Sequence, residues 1–330
     1  MKAIHMTDSG GPEVLQLVDV PEPEPGAGEI KVRLHAAGVN PVDTKLRSRG
    51  VFFENALPAI LGCDGAGTVA QVGAGVTMFK AGDEVWFCHG GLGREPGNYA
   101  EASVVPAGVA RKKPASLSFE QAAAAPLILI TAWEALFDRA SLQRGQSVLI
   151  HGGAGGVGHV AIQLARHAGA RVCATVGSDA NARFAESLGA DLVVNYRQRP
   201  FVEAVLDWTG GRGVDVALDI MGGQVFVDTF RAMAHYGNLI TLLDPGGTVN
   251  WKEARNRNLR IGFELMLTPM LLDLPEARAH QGTILDRCAA LCDAGALNIE
   301  VSGVLPLAQA AEAHRQIETG HTRGKLVLVP

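Results

Sequence analysis

Ser147-Val-Leu-Ile-His-Gly-Gly-Ala-Gly-Gly-Val-Gly158 is the stretch that decides the fold. Its first part, Ser147–His151, is apolar and branched in the middle, and so reads as a short buried strand. The glycine run behind it contains Gly153-x-Gly155-x-x-Gly158. Val157, Val160, Ala161, Leu164, Ala165 and Ala168 then recur at helical spacing, and Gly169 is placed to end that helix in a left-handed cap. Arg171-Val-Cys-Ala-Thr-Val176 supplies a second strand.

Strand, glycine turn, helix and strand follow in the order that a dinucleotide pyrophosphate requires. The turn needs a residue without Cβ, the backbone must come close to the anion, and the helix must pack tightly on its strand. The free N–H groups and positive dipole end of the helix then face the phosphates. Gly153, Ala154, Gly155, Gly156, Val157 and Gly158 are therefore cofactor-binding candidates. An NAD site places Asp or Glu at the end of the second strand, to hold the ribose 2′-hydroxyl. Gly177-Ser178 stands there instead, with Arg183 and Tyr196 near in sequence. A small hydroxyl and a cation without a carboxylate favour a 2′-phosphate, hence NADP(H). Asp179, one step later, is expected to cap the helix through Ala182 and Phe184.

The rest of the chain sets bounds. At 330 residues it suggests two domains. A composition of 47% hydrophobic and 19% charged residues is that of an ordinary soluble globular protein. A net charge of −5 argues against nucleic-acid or membrane-surface binding. Met1-Lys2-Ala3-Ile4-His5 lacks the apolar core of a signal peptide, and Ala122–Ile130 is too short to span a bilayer. The five scattered cysteines read as reduced thiols, which places the protein in the cytoplasm. Cys288 and Cys292 share a helical face, as core packing requires.

Taken in order, the first part is β-rich. Strands are expected at Met1–Met6, Val14–Val20, Ile30–Ala37, Ala66–Val72, Glu84–Cys88 and Ala100–Val105, forming a small irregular barrel or sandwich. Character changes near Ser118, with helices at Phe119–Ala125 and Thr131–Ala140 on either side of Pro126. After the glycine turn, strands at Asp191–Tyr196, Val214–Ile220 and Asn238–Leu243 alternate with helices around Phe201–Trp208 and Gln224–His235. That alternation implies an α/β fold with a doubly wound parallel sheet. Asn258–Phe263 is a candidate edge strand, one place where subunits pair. Helices over Pro275–Ala294 and Leu307–Glu318 and a strand at Lys325–Val329 close the chain.

With these residues in view, the chain resembles the zinc-free quinone oxidoreductases of the medium-chain dehydrogenase/reductase superfamily. The resemblance rests on Gly10-Gly-Pro-Glu-Val-Leu15, Ala37-Gly-Val-Asn-Pro-Val-Asp43, Gly62-Cys-Asp-Gly-Ala-Gly67, Gly152–Gly158, Asn195-Tyr196 and Gly324-Lys-Leu-Val-Leu328. It implies a GroES-like catalytic domain over residues 1–118, completed by 266–330, and a Rossmann dinucleotide-binding domain over 119–265. It also implies a homodimer and a small-molecule quinone or enone substrate. Met221, Leu242 and Leu243, at the ends of later strands, complete the expected cofactor-binding set.

Zinc alcohol dehydrogenases of that superfamily carry a catalytic Cys where this chain has Asn40, and a zinc-binding His where it has Cys63. Their second catalytic Cys falls near Leu127, and their four-cysteine lobe is missing, since Phe87–Tyr99 holds only Cys88 and His89. Zinc needs about three protein ligands in an open site; no metal is expected, and Cys63 reads as a buried thiol. What remains is hydride transfer from a nicotinamide to an electron-poor carbon, with the protein positioning both partners. The resemblance places Asn40 and Thr131 beside the nicotinamide, as catalytic and cofactor-orienting donors. Asp43 reads as a helix or turn cap, because a solvated carboxylate near pKa 4 is a poor acid at neutral pH. Phe52 and Phe53 suit a pocket wall or the core. No histidine has triad or ligand spacing. The expected function is NADPH-dependent reduction of quinones or α,β-unsaturated carbonyls without metal. Its rivals are a zinc-type alcohol dehydrogenase and a non-catalytic NADPH-binding protein.

Overall fold

The structure, a computed structural model, describes residues 1–330 and divides them into two units. Unit 2 holds Ile128–Met266 and Ala296–Asn298 and is built on six strands, all parallel. Across the sheet they run Leu192–Asn195, Arg171–Val176, Ser147–Ile150, Val214–Asp219, Met233–Thr241 and Arg260–Phe263. In chain order this is 3-2-1-4-5-6, the dinucleotide-binding arrangement, with its direction of winding reversed between the first and fourth strands. The helix Gly156–His167 buries Val160, Ala161, Leu164 and Ala165, and Gly169 follows it with φ 80°. Leu149, Cys173, Ala217 and Leu239 form a core with Phe226 and Phe230, whose rings meet edge to face at 5.1 Å. Each fully buried ring contributes about 2–3 kcal/mol through area removed from water. Arg260–Phe263 is the sheet edge, and Phe263 is exposed there.

Unit 1 holds Met1–Leu127, Leu267–Gly295 and Ile299–Pro330. The strand Glu29–Val39 is its hub, pairing antiparallel with Asp64–Val72, Ala102–Pro106 and Lys325–Val329. Ile30, Val32 and Leu34 alternate into a core with Val69, Val85, Phe87 and Val105. Lys2–Met6 and Leu15–Asp19 form a separate two-stranded ribbon. No helix of the chain is long and apolar enough to cross a membrane.

Several expectations need correction. The division falls after Leu127 rather than Ser118, because the helix Phe119–Ala124 packs on unit 1: the Ala123 carbonyl approaches the place of a Gly38 Cβ. Residues 296–298 return to unit 2, where Asn298 and Gln163 exchange two hydrogen bonds. The next helix begins at Pro126 and runs to Trp133, continuing as a π-helical turn over Glu134–Arg139. Proline at the first position has no N–H to lose and starts the helix rather than breaking it. The helix expected to reach His235 ends at Ala232, because Met233 already pairs with Val214. A helix at Pro41–Arg49 and a strand at Val301–Pro306 appear where none were expected.

Candidate functional site

In unit 2 the site grows from the C-terminal ends of the central strands. The helix Gly156–His167 has Gly155 as N-cap, with no side chain to satisfy the first N–H groups. A Cβ on Gly155 would meet only the Gly152 carbonyl oxygen, at 3.3 Å, so the space over the turn is open. A Cβ on Gly158 would instead lie 2.2 Å from that same oxygen, which is how closely helix and turn are packed. Donors pointing into open space at a helix N-terminus suit a pyrophosphate. Met221, half exposed, and Leu243 border the same strand ends: Met221 lies 3.7 Å from the place of a Gly152 Cβ, and Leu243 3.2 Å from that of Gly222. Ala154 is buried within the turn, and Leu242 is half-buried.

His151, set aside by sequence reasoning, fastens this turn. Thr229 Oγ1 donates to the Val225 carbonyl at 2.7 Å, so it accepts from His151 Nε2–H at 2.9 Å. His151 Nδ1 is then the acceptor for Thr175 Oγ1 at 3.1 Å, and Thr175 Oγ1 receives the Gly152 N–H at 3.3 Å. Burial pulls the imidazole down to about 4, so it stays neutral and keeps both roles.

At the end of Arg171–Val176, Ser178 caps the next helix, its hydroxyl oxygen accepting from Asn181 N–H at 3.2 Å. Asp179, expected as that cap, is the first helical residue instead. Its Oδ1 accepts from Asn195 Nδ2 and Gln198 Nε2, at 2.8 and 2.9 Å. Tyr196 N–H donates to the Val176 carbonyl, so the tyrosine comes to Gly177, whose missing Cβ leaves room for the phenol oxygen 2.5 Å away. Gly177, Ser178 and Tyr196 are thus brought together, with Arg183 exposed on the adjoining helix. Thr131 lies on the helix Pro126–Trp133 and is buried.

In unit 1 the site is a buried polar cluster at the end of the hub strand. Asn40 follows Val39 and caps the helix Pro41–Arg49. Its N–H donates to Asp43 Oδ2 at 2.8 Å, and its Nδ2 donates to Asp64 Oδ2 at 2.8 Å. Lys325 Nζ donates to Asn40 Oδ1 and, at 2.8 Å, to the Val39 carbonyl. Asn40, Asp43 and Asp64 are fully buried, and Lys325 nearly so. Burial pulls the Lys325 ammonium below its usual range, against the charges of Asp64 and Asp43. Burial likewise raises Asp64, against Lys325 and the Asn40 amide.

Asp43 differs from its sequence reading in one respect. It does close the helix start, but it is not solvated: burial pushes its carboxyl up to about 7, against hydrogen bonds from Asn40 N–H and Tyr99 OH. The Tyr99 oxygen in turn accepts from His314 Nε2–H at 3.2 Å. Cys63 is fully buried, and its thiol is pushed up by its hydrogen bond with Cys88 and by burial. No three His, Cys, Asp or Glu side chains gather to hold a metal ion. Phe52 is exposed and the Arg94 guanidinium lies 4.4 Å over the Phe53 ring, so neither packs in the core.

Residues 26–115 match the family described as the alcohol dehydrogenase GroES-like domain, and residues 188–328 the one described as zinc-binding dehydrogenase. The quinone oxidoreductase of Pseudomonas aeruginosa is 34% identical over 333 residues, covering 100% of this chain and 99% of that protein. The chain belongs to the quinone oxidoreductase family of the medium-chain dehydrogenases/reductases. Against the quinone oxidoreductases of Rattus norvegicus and Mus musculus the matched segment spans about half of those chains, 54% and 53%, at 42% identity. A crystal structure of the Escherichia coli quinone oxidoreductase complexed with NADPH superposes with a TM-score of 0.89, at 31% identity over the whole of both chains. A structure described as an NAD-dependent alcohol dehydrogenase superposes with a TM-score of 0.91, at 35% identity over the whole of both chains. This member of the family therefore carries a nicotinamide-nucleotide fold, and Lys325 lies in its closing stretch Gly324-Lys-Leu-Val-Leu328. Nothing in the sequence pattern signals that Lys325 reaches Asn40, 285 residues away.

Proposed function

We propose that the protein is a zinc-independent, NADPH-dependent reductase of quinones or α,β-unsaturated carbonyls. The observation that carries this reading is the uncapped glycine turn at the winding reversal of the sheet, beside a strand end where the last residues, Gly177 and Ser178, bring a hydroxyl and the Tyr196 phenol rather than a carboxylate. The cofactor supplies a hydride when bound. Gly156 and Val157 offer N–H groups to its pyrophosphate, the Gly155 N–H being spent on the Gly152 carbonyl at 2.9 Å, and Ser178, Arg183 and Tyr196 are the residues we assign to the 2′-phosphate. Ser178 keeps its hydroxyl hydrogen for that purpose, because its cap bond uses only the oxygen. Asp179 turns its Oδ1 to the side-chain amides of Asn195 and Gln198.

NADPH is expected to bind at least tenfold more tightly than NADH, since charge-assisted bonds contribute about 1.5–3 kcal/mol each. Ser178→Asp should move the preference toward NADH, because a carboxylate repels the 2′-phosphate and still caps the helix. Fluorescence titration with both nucleotides checks this, and equal dissociation constants would sink the assignment.

Asn40 and Thr131 are the hydrogen-bond donors we assign to the nicotinamide carboxamide or the acceptor oxygen. The donor set around Cys63 supports the metal-free reading, since no group of three His, Cys, Asp or Glu side chains there could hold an ion. Asn40→Ala and Thr131→Val should each lower kcat by up to about 10²–10³ without abolishing turnover, the loss typical of one preorganised donor. Chelation should leave the rate unchanged. NADPH consumption with a small quinone panel measures all three, and stoichiometric zinc in the purified protein would overturn the metal-free mechanism.

A further inference from the structure

Asn40 is gripped from both sides by partners that tell its oxygen from its nitrogen. A primary amide is nearly symmetric in shape, so packing alone does not distinguish it from its flipped form. Hydrogen bonding does. Lys325 can only donate, and it meets Oδ1; an ionised Asp64 can only accept, and it meets Nδ2 at 2.8 Å. A flip would set N–H against N–H on one side and oxygen against carboxylate on the other.

Each grip is itself fixed. Lys325 spends a second hydrogen on the Val39 carbonyl at 2.8 Å. The other carboxylate oxygen of Asp64 accepts from Leu127 N–H at 2.8 Å. The strands bring the three residues together, for Leu326 pairs with Val39 and Asp64 with Gly38 across adjacent antiparallel ladders. One hydrogen of Nδ2 is then left, in a direction set by the other.

We propose that Lys325 and Asp64 lock the Asn40 carboxamide so that it presents a hydrogen-bond donor, never an acceptor, to a carbonyl-type oxygen of the cofactor or acceptor. Lys325 is thereby a positioning residue of the reaction. This rests on the reading of Asn40 as a functional donor. The competing role is a buried ion pair that serves stability alone, and removing one member of such a pair strands the other.

The discriminating variant is therefore Asp64→Asn/Lys325→Met, which removes both charges together. The expected result is a melting temperature within a few degrees of the parent, NADPH affinity within about threefold, and kcat lower by about 10²-fold. Asp64→Asn alone, close in shape to the parent, is the second variant. Leu127 N–H holds the new amide oxygen, so its NH2 faces Asn40 Nδ2, donor against donor, and kcat should fall at least tenfold. Should the double variant not fold, Asp64→Asn decides by itself. Parental kcat in a folded double variant or in Asp64→Asn, with kcat reduced in Asn40→Ala, overturns the lock alone. Parental kcat in Asn40→Ala overturns the reading of Asn40 and the lock with it.

Discussion

Gly158→Ala should cost the protein at least a hundredfold in NADPH affinity and lower its melting temperature. The added Cβ would lie 2.2 Å from the Gly152 carbonyl oxygen, 2.8 Å from its carbon and 2.9 Å from Gly153 Cα. All three are backbone atoms of the turn we assign to the pyrophosphate, so no side chain can rotate away. The helix Gly156–His167 would have to back off the strand end, carrying its N–H groups away from the anion. The Gly152 N–H would also be pulled from Thr175 Oγ1 and with it from the His151 chain. Gly155→Ala is the matched control. Its φ is −79° and its Cβ meets nothing closer than 3.3 Å, so the fold should tolerate it. A methyl there fills the space assigned to the phosphates, and affinity should fall while the melting temperature holds. Titration and thermal melts on both variants check the pair. Parental affinity and melting in Gly158→Ala would mean that this turn does not bind the nucleotide.

That turn was legible because its chemistry is local: twelve consecutive residues carry the strand, the glycines and the helix start. The strands Glu84–Cys88 and Lys325–Val329 and the helix Phe201–Trp208 were readable for the same reason, as short runs with one dominant pattern. The helix Pro41–Arg49 was not. It buries Asp43, Thr44 and Arg47 beside Leu46, so it has no apolar stripe for periodicity to find. Val301–Pro306 was hidden by Gly303 and Pro306, residues that count against a strand in sequence but are accepted beside Lys325–Val329. The grip on Asn40 was illegible in a deeper sense. Lys325, Asp64 and Asn40 meet only because three strands pair, and pairing between distant segments leaves no mark on the spacing of residues. Asp43 shows the same limit in its charge: a carboxylate reads as solvated until the fold encloses it.

Enclosed titratable groups make stability depend on pH, and here they pull in opposite directions. Burial holds His89 and His151 down to about 4 and His314 down to about 3. Each is neutral when folded and charges in the unfolded chain below about 6.5, so unfolding takes up a proton there. Their stabilisation is complete above pH 6.5 and is lost as pH falls toward 4. Asp43 is the reverse case. With its folded carboxyl at about 7 and an ordinary value of 3.8, it is protonated when folded and ionised when unfolded between those values. Its contribution therefore grows as pH falls through 7. Between pH 7 and 5 each histidine loses about 2 kcal/mol, or about 6 kcal/mol for three, while Asp43 returns about 3 kcal/mol, at about 1.4 kcal/mol per unit. Among these four groups the histidines outweigh Asp43, a net loss of about 3 kcal/mol between pH 7 and pH 5, and Asp64, also raised by burial, acts on the side of Asp43. His151→Gln, which keeps a donor and an acceptor, should shrink that loss by about 2 kcal/mol. Asp43→Asn should enlarge it by about 3 kcal/mol, because the compensating carboxyl is gone. Denaturant unfolding at both pH values separates the arms. Curves for the two variants that run parallel to the parent would show that neither residue titrates differently in the folded and unfolded chain.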